Sequence, residues 1–373
     1  MESYGQLKLE LIRKGLTVPD EVRDVSEVIG GYCDGRPGDE IVLSLAENFI
    51  VKVPIKDTGQ NQPALKLVNG KVKLSSMDEE IEVNIVPLPN FVREQMKKRS
   101  PVSENACIDG YCMNLFLRAV GQKNRLNLTQ ETILSVIKAA FEEGAADLIQ
   151  LNMDYCREPD RGLTRLAPLV QAIKKEFSTF IALRGFPPKD KQTLDKVYAA
   201  GIDLLNFPLE GFVGFAKKED VISQPLVYGA LEYAAKIFPP GTVWTELFLE
   251  AGSIDPLKDK IAYLTEKGIL PLLKLTTPSI GTEEYSTNVI KVARYLETNV
   301  QNSRLPLKWL FPHCRYMSPL DTRFFLDPID KAKLNAKPVY KSLLGRKTLE
   351  GYTKLRRKLR IKDVSDSYES AGL

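Results

Sequence analysis

The sequence is poor in histidine, tryptophan and cysteine: its 373 residues include one His, two Trp and five Cys. A single histidine offers no recognisable nucleophile–histidine–acid triad. Five cysteines, an odd number in a long chain, do not read as a disulfide framework, so we expect a reducing compartment and a cytoplasmic protein. Met1–Thr17 lacks the apolar core of a signal peptide. The sequence contains no run of about 18 apolar residues of the kind that predicts a membrane-spanning helix.

Neither sign of charge dominates the chain. Lys and Arg number 52 against 48 Asp and Glu, a formal net charge of +4. This balance argues against nucleic-acid binding, because contact with a phosphate backbone needs a concentrated basic face. Hydrophobic residues make up 43% and charged residues 27%, which is typical of a globular enzyme. We expect a small-molecule or protein-carried substrate, a protein partner subunit as an alternative, and no membrane.

The first part of the chain, residues 1–101, predicts a small antiparallel β-rich domain. Its apolar runs are short and β-branched, as in Phe49–Ile55 and Ile81–Val86, and turn clusters separate them. Asn69-Gly70 lies between two such runs and predicts a tight hairpin, because both residues tolerate positive φ.

Residues 102–315 repeat a pattern of helix, glycine and buried strand. Thr129 is a cap for the first of these helices, and Gly144 ends it. The predicted strands are 147–151, 180–183, 202–207, 243–249, 269–275 and 307–311. Strands separated by helices pair in parallel through right-handed crossovers. No Gly-rich phosphate loop follows a strand, which disfavours an open dinucleotide-binding sheet.

We therefore predict an α/β fold built on an incomplete parallel (β/α) barrel of about six units. A β-rich N-terminal domain precedes this barrel. A basic, helical C-terminal extension over residues 316–373 follows it.

Function in parallel βα barrels lies at the carboxyl ends of the strands. The sequence places there Asn152, Asp154, Cys156, Arg184, Asn206, Glu210, Glu246, Glu250, Lys274, His313 and Cys314. An arginine beside carboxylates suits a carboxylate-bearing or amino-acid-like ligand. The same pairing equally serves to neutralise charge inside a barrel. His313-Cys314 is favoured as a core pair over a ligating pair.

Four of the five cysteines fall in segments expected to meet at this mouth: Cys107, Cys112, Cys156 and Cys314. Thiolates from separate strands bind zinc or iron–sulfur clusters. The alternative is that each is a small buried hydrophobic residue. The spacing Cys107-x4-Cys112 is not that of a standard zinc knuckle, so the local pattern alone does not decide.

The segment from Asn114 to Pro278 resembles the core of radical SAM enzymes, particularly the biotin-synthase-like branch. The resemblance is carried by the segments 148–154, 189–210, 245–250 and 264–273. It implies a partial barrel holding a [4Fe–4S] cluster on three cysteines spaced C-x3-C-x2-C. The open iron of that cluster binds S-adenosylmethionine, whose reductive cleavage yields a radical that abstracts hydrogen from a substrate in cofactor or metabolite biosynthesis or modification.

The chain departs from the family at this cysteine motif. Tyr111-Cys112 matches its aromatic–cysteine end, but Asp109 and Asn105 occupy the other two positions, and Cys107 is out of register. The resemblance then implies a cluster of atypical ligation on Cys107, Cys112 and Cys156. It also implies cofactor binding by Tyr111, Asn152, Asp154, Asn206 and Glu210. Arg184 and Glu246 are the candidate catalytic residues.

Three hypotheses follow. The first is a radical SAM enzyme with an atypical cluster. The second is a degenerate relative without a cluster, acting as a partner subunit or a metabolite-binding protein. The third is a barrel lyase or aldolase that uses Lys274 as a Schiff-base amine.

Overall fold

The computed structural model describes residues 3–22, 40–56, 62–76, 79–98, 105–110, 112–117, 128–210, 222–250, 252–275 and 283–341, together with residues 351 and 355. The N-terminal part begins with helix α1 (Tyr4–Lys14). Six strands follow: β1 (Glu40–Ala46), β2 (Phe49–Pro54), β3 (Ala64–Val68), β4 (Lys71–Ser76), β5 (Glu79–Glu82) and β6 (Asn84–Ile85). They form two three-stranded sheets, in the orders β2-β1-β6 and β3-β4-β5, and helix α2 (Asn90–Lys97) comes next.

The hairpin predicted at Asn69-Gly70 is confirmed. β3 and β4 pair antiparallel, with Val68 opposite Lys71. Asn69 and Gly70 both have positive φ, 53° and 76°, as a two-residue turn of this twist requires.

A larger sheet runs through the rest of the described chain. Its strands are β7 (Ala106–Asp109), β8 (Cys112–Leu117), β9 (Leu148–Met153), β10 (Phe180–Arg184), β11 (Leu204–Asn206), β12 (Val243–Leu249), β13 (Leu270–Leu275) and β14 (Tyr316–Met317). Their spatial order is the chain order. β8 to β13 pair in parallel, and the two edge strands, β7 and β14, are antiparallel to their neighbours. The expectation of a partial parallel barrel is confirmed at this level.

A helix follows each of the parallel strands. These helices are α3 (Gln130–Glu142), α4 (Ala167–Glu176), α5 (Thr193–Ala200), α6 (Gln224–Ile237), α7 (Asp255–Glu266) and α8 (Glu283–Asn302), and a short α9 (Arg323–Leu326) follows the last strand. The Thr129 hydroxyl accepts the Thr132 N–H at 3.2 Å, which is the predicted cap of α3. Gly144, at φ 65°, ends the same helix in the left-handed conformation.

The predicted strand at 307–311 is wrong. Residues 307–313 carry no strand, and β14 lies further along the chain and runs antiparallel. The apolar run at 307–311 instead supplies aromatic side chains to the core. Trp309 packs edge-on against Phe180, and Phe311 against Trp244. A short buried apolar run fits either role, and its periodicity does not separate the two.

The two edges of the large sheet meet through the chain segment that leads into β14. The Cys314 N–H donates to Asp109 Oδ1 at 3.0 Å, so the end of β7 is bonded across to this segment. A Cβ on Gly110, which has φ 62°, would lie 2.7 Å from the Pro312 carbonyl oxygen. The sheet therefore curls, and the segment 309–315 lies between its edges.

The N-terminal sheets and the large sheet share one hydrophobic core. Leu7 and Leu11 of α1 are fully buried, and Phe49 stacks on Phe324 at 4.4 Å between ring centroids. No helix in the described part of the chain is long and apolar enough to cross a membrane.

Candidate functional site

Sheet register brings polar residues of neighbouring strands side by side. Arg184 lies opposite Asn152 of β9 and opposite Asn206 of β11. Residues directly opposite each other in a sheet point to the same face. These three side chains, all predicted from their places at strand ends, therefore line one face of the sheet near its carboxyl edge.

An ion pair across two strands is the centre of this face. Nε and Nη2 of Arg184 donate to the two carboxylate oxygens of Glu246, at 2.6 and 2.9 Å. Asn206 Nδ2 donates to the same carboxylate at 2.7 Å, and the Tyr316 hydroxyl donates at 3.0 Å. Arg184, Asn206, Glu246 and Tyr316 are called the Glu246 cluster below. Four donors fixing one buried carboxylate define its position and orientation.

The Glu246 cluster holds a charged carboxylate inside the protein. Burial by itself disfavours the charged form, but the ion pair with Arg184 and the hydrogen bonds outweigh it and lower the pKa of Glu246 to about 2. Burial, and then the charge of Glu246, raise the pKa of the Tyr316 hydroxyl well above its usual value. Tyr316 therefore stays protonated and remains a donor over the physiological pH range.

We expect Glu246→Gln to remove part of the acid sensitivity of folding. The carboxylate has an ordinary pKa of 4.5 and a folded pKa of about 2. Its stabilising contribution is therefore complete above pH 4.5 and is lost as the pH falls toward 2, on the order of 3 kcal/mol. Urea unfolding at several pH values measures this. The difference in free energy of unfolding between wild type and variant should become smaller as the pH falls from 4.5 toward 2. A difference that stays the same over this range would contradict the assignment.

An amide cluster lies beside the Glu246 cluster. Asn114 Oδ1 accepts from Gln150 Nε2 at 2.8 Å and from Asn152 Nδ2 at 3.1 Å. Gln150 Nε2 also donates to Asn152 Oδ1 at 3.0 Å. All three side chains are buried. Amides buried together in a barrel interior form a fixed hydrogen-bonding surface, since each satisfies part of the others' capacity.

Lys274 adds a positive charge to the same face. It lies opposite Tyr316 of β14 and Phe248 of β12, so it points to the interior side. Its ammonium is 5.5 Å from the centre of the Phe248 ring. No carboxylate in the described ranges forms an ion pair with it. Of the five guanidinium N–H groups of Arg184, Glu246 uses two. The Arg184 side chain is 35% exposed, so part of its donor edge faces outward.

Two predicted cofactor residues make no side-chain hydrogen bond to these clusters in the described part of the chain. Glu210 accepts the Phe248 N–H at 2.6 Å and pairs with Lys260 of helix α7. Its carboxylate therefore ties a loop to the outer helix layer. Asp154 follows β9 directly, is half-buried, and donates its backbone N–H to the Leu117 carbonyl at 3.0 Å. Tyr111, the third, lies outside the described residues.

The structure does not bring the three predicted metal ligands together. Cys112 begins β8 and lies opposite Leu148, the first residue of β9. Cys156 follows the far end of β9, close to Gly162 and Met153. The length of β9 separates the two, roughly 16 Å at 3.3 Å per residue. Cys107 lies between these levels, opposite Asn114.

These cysteines do not fit a three-thiolate cluster, because their sulfurs do not converge on one point. No group of three or more His, Cys, Asp or Glu side chains in the described ranges is arranged to hold a metal ion. Burial, and then the nearby Asp109 charge, also raise the pKa of the Cys112 thiol well above its usual value. This opposes the thiolate form that a metal needs.

A second buried polar group lies where the edges of the sheet meet. Asp109 Oδ2 is 3.6 Å from His313 Nδ1. Burial opposes the charge of Asp109, but hydrogen bonds from His313 and Cys314 lower its pKa overall. The fully buried Lys8 donates to the carbonyls of His313 at 2.9 Å and Tyr316 at 3.2 Å. Helix α1 thus anchors the chain segment whose Tyr316 hydroxyl is bonded to Glu246.

Sequence reasoning missed several residues of the site. Asn114 and Gln150 lie inside strands whose apolar character dominated the pattern, and Tyr316 was assigned to the C-terminal extension. The register of β8 with β9 places Asn114 opposite Gln150. The signal that could have found Gln150 was polar side chains at alternate positions of an otherwise apolar strand, Gln150 and Asn152.

No family model matches the sequence, and no curated protein matches it. Among solved structures, the chain is similar to a dihydropteroate synthase from Coxiella burnetii, solved in complex with pteroic acid. The identity is 16%, the match covers 52% of this chain and 70% of that one, and the TM-score is 0.30.

Proposed function

We propose that this chain is a metabolite-binding barrel whose ligand is a small anion held at the carboxyl ends of the parallel strands. The observation that carries the proposal is the Glu246 cluster. The buried carboxylate is held in place by four hydrogen bonds and forms the base of the site. The cations beside it have more donor groups than that carboxylate uses.

The arrangement of charge supports an anionic ligand. Glu246 is compensated by Arg184 together with two further hydrogen bonds. Lys274 brings a second positive charge to the same face, with no carboxylate partner in the described ranges. A carboxylate or phosphate group between Lys274 and the outward edge of Arg184 would accept hydrogen bonds from both cations. Fixed amides, such as those of Asn114, Gln150 and Asn152, are the usual means of orienting the rest of a ligand.

The iron–sulfur cluster and S-adenosylmethionine stay predictions from the family resemblance. They draw no support from the positions of Cys107, Cys112 and Cys156. The lyase hypothesis stays a prediction as well. Its lysine, Lys274, faces the barrel interior, as a Schiff-base lysine must.

Calorimetric titration of the full chain with succinate, glutarate, citrate and inorganic phosphate tests the proposal. We expect at least one of these anions to bind. Lys274→Met should weaken that binding tenfold or more, about 1.4 kcal/mol. Lys267→Met is the matched control, because Lys267 lies at the end of α7 and pairs with Glu266 on the surface.

Two results would contradict the proposal. One is that none of the four anions binds. The other is that Lys274→Met binds the anion as tightly as wild type and the control Lys267→Met do.

A further inference from the structure

Two buried side-chain atoms, one in the Glu246 cluster and one next to it, have no hydrogen-bond partner in the described part of the chain. They are Asn206 Oδ1 and His313 Nε2. Asn206 is 3% exposed and His313 is 7% exposed, so water does not reach them freely. A buried polar atom without a partner destabilises the folded protein. A bound ligand that supplies the missing hydrogen bond would explain such an atom.

Chemistry fixes Asn206 Oδ1 as an acceptor. The amide nitrogen of Asn206 donates to Glu246 Oε1 at 2.7 Å. An ionised carboxylate only accepts hydrogen bonds, so the nitrogen must be the end of the amide that faces it. The oxygen therefore points away from Glu246, and only a donor can satisfy it.

The surroundings of His313 fix its second nitrogen in the same way. Nδ1 faces Asp109 Oδ2 at 3.6 Å, and Asp109 is also held by the Cys314 N–H. With the ring proton on Nδ1, which faces this carboxylate, Nε2 is an acceptor.

Both acceptors belong to one connected group. The His313 ring lies 5.4 Å from the Tyr316 ring, and the Tyr316 hydroxyl is bonded to Glu246, as is Asn206. Donors lie next to the same group: Arg184 pairs with Glu246, and Lys274 lies opposite Tyr316 in the sheet.

We infer that the ligand is a hydroxy- or amino-carboxylate. This inference rests on the proposed function and narrows its ligand class. The anionic group meets Arg184 and Lys274, and an O–H or N–H group next to it donates to Asn206 Oδ1, with His313 Nε2 as the deeper acceptor. A plain dicarboxylate offers no such donor and leaves both atoms unpaired.

A matched series of probes tests this inference. Succinate, malate and aspartate share a four-carbon dicarboxylate skeleton and differ by no added group, one hydroxyl and one ammonium. We expect calorimetry on the full chain to show malate or aspartate binding at least tenfold more tightly than succinate. In His313→Phe or Asn206→Leu, that preference should shrink to threefold or less.

The single histidine of the chain provides an independent readout. In protein carrying nitrogen-15 histidine, NMR should show a neutral imidazole protonated at Nδ1. A proton on Nε2 would overturn the assignment of His313 as an acceptor. Equal binding of succinate, malate and aspartate would overturn the ligand class while leaving an anion site in place. If none of the three binds, and none of the anions named above binds either, the proposed function itself fails.

Discussion

Arg184→Met is expected to lower the free energy of unfolding by about 3 kcal/mol, because it leaves a charged Glu246 buried without its counter-ion. Glu246 has 5% of its side chain exposed and keeps only the hydrogen bonds from Asn206 and Tyr316. Breaking a buried ion pair costs more than the pair contributes, since the remaining charge stays desolvated. Urea or thermal unfolding followed by circular dichroism measures the loss.

A double variant separates the lost charge partner from lost packing. Arg184→Met with Glu246→Leu removes both charges, and we expect it to recover at least half of the stability that Arg184→Met loses. Lys138→Met is the control, because Lys138 and Glu142 form a pair with both side chains 67% exposed, and its loss should cost under about 0.5 kcal/mol. Equal losses in Arg184→Met and Lys138→Met would show that the ion pair is not a buried one.

The second large effect is expected at Gly110. Gly110→Ala should destabilise the fold by about 3 kcal/mol or more, from two sources. Its φ of 62° is unfavourable for alanine, and the new Cβ would meet the Pro312 carbonyl oxygen at 2.7 Å. The clashing atom belongs to the Pro312 backbone, and Ile50 Cδ1 would lie 3.2 Å from the same Cβ, so the segment 312–316 must shift. That shift also displaces Tyr316 from Glu246.

Gly144→Ala isolates the second source. Gly144 has nearly the same φ, 65°, but a Cβ there meets nothing within 4 Å. We expect Gly144→Ala to cost only about 1 kcal/mol, the conformational share. If the two glycine variants lose the same stability in urea unfolding, the contact between Gly110 and the Pro312 segment does not hold the edges of the sheet together.

Strand ends proved to be the informative part of the sequence. Arg184, Asn206 and Glu246 were predicted from their places at carboxyl ends of βα units, and the structure joins them in one cluster. The reason is geometric: strand order follows chain order, so the ends of successive strands are neighbours. Tyr316 could not be found this way, because β14 is a two-residue antiparallel strand, and the segment 303–315 separates it from the preceding helix α8.

The cysteines show where such reasoning fails. Cys112 was expected at the mouth, but it is the first residue of its strand, whereas Cys156 follows the last residue of the neighbouring strand. A short strand bounded on both sides by polar residues does not reveal which of its ends points to the mouth. That depends on the antiparallel β7, which returns the chain into β8 with no intervening helix.

The most direct test of the account is the iron and sulfide content of the full chain after anaerobic reconstitution, in wild type and in Cys112→Ala. A metabolite-binding barrel whose cysteines do not converge should stay colourless, with iron well below one atom per chain and no difference between the two proteins. A brown protein with about four irons per chain, lost in Cys112→Ala, would contradict the account and establish the cluster that the family resemblance implies.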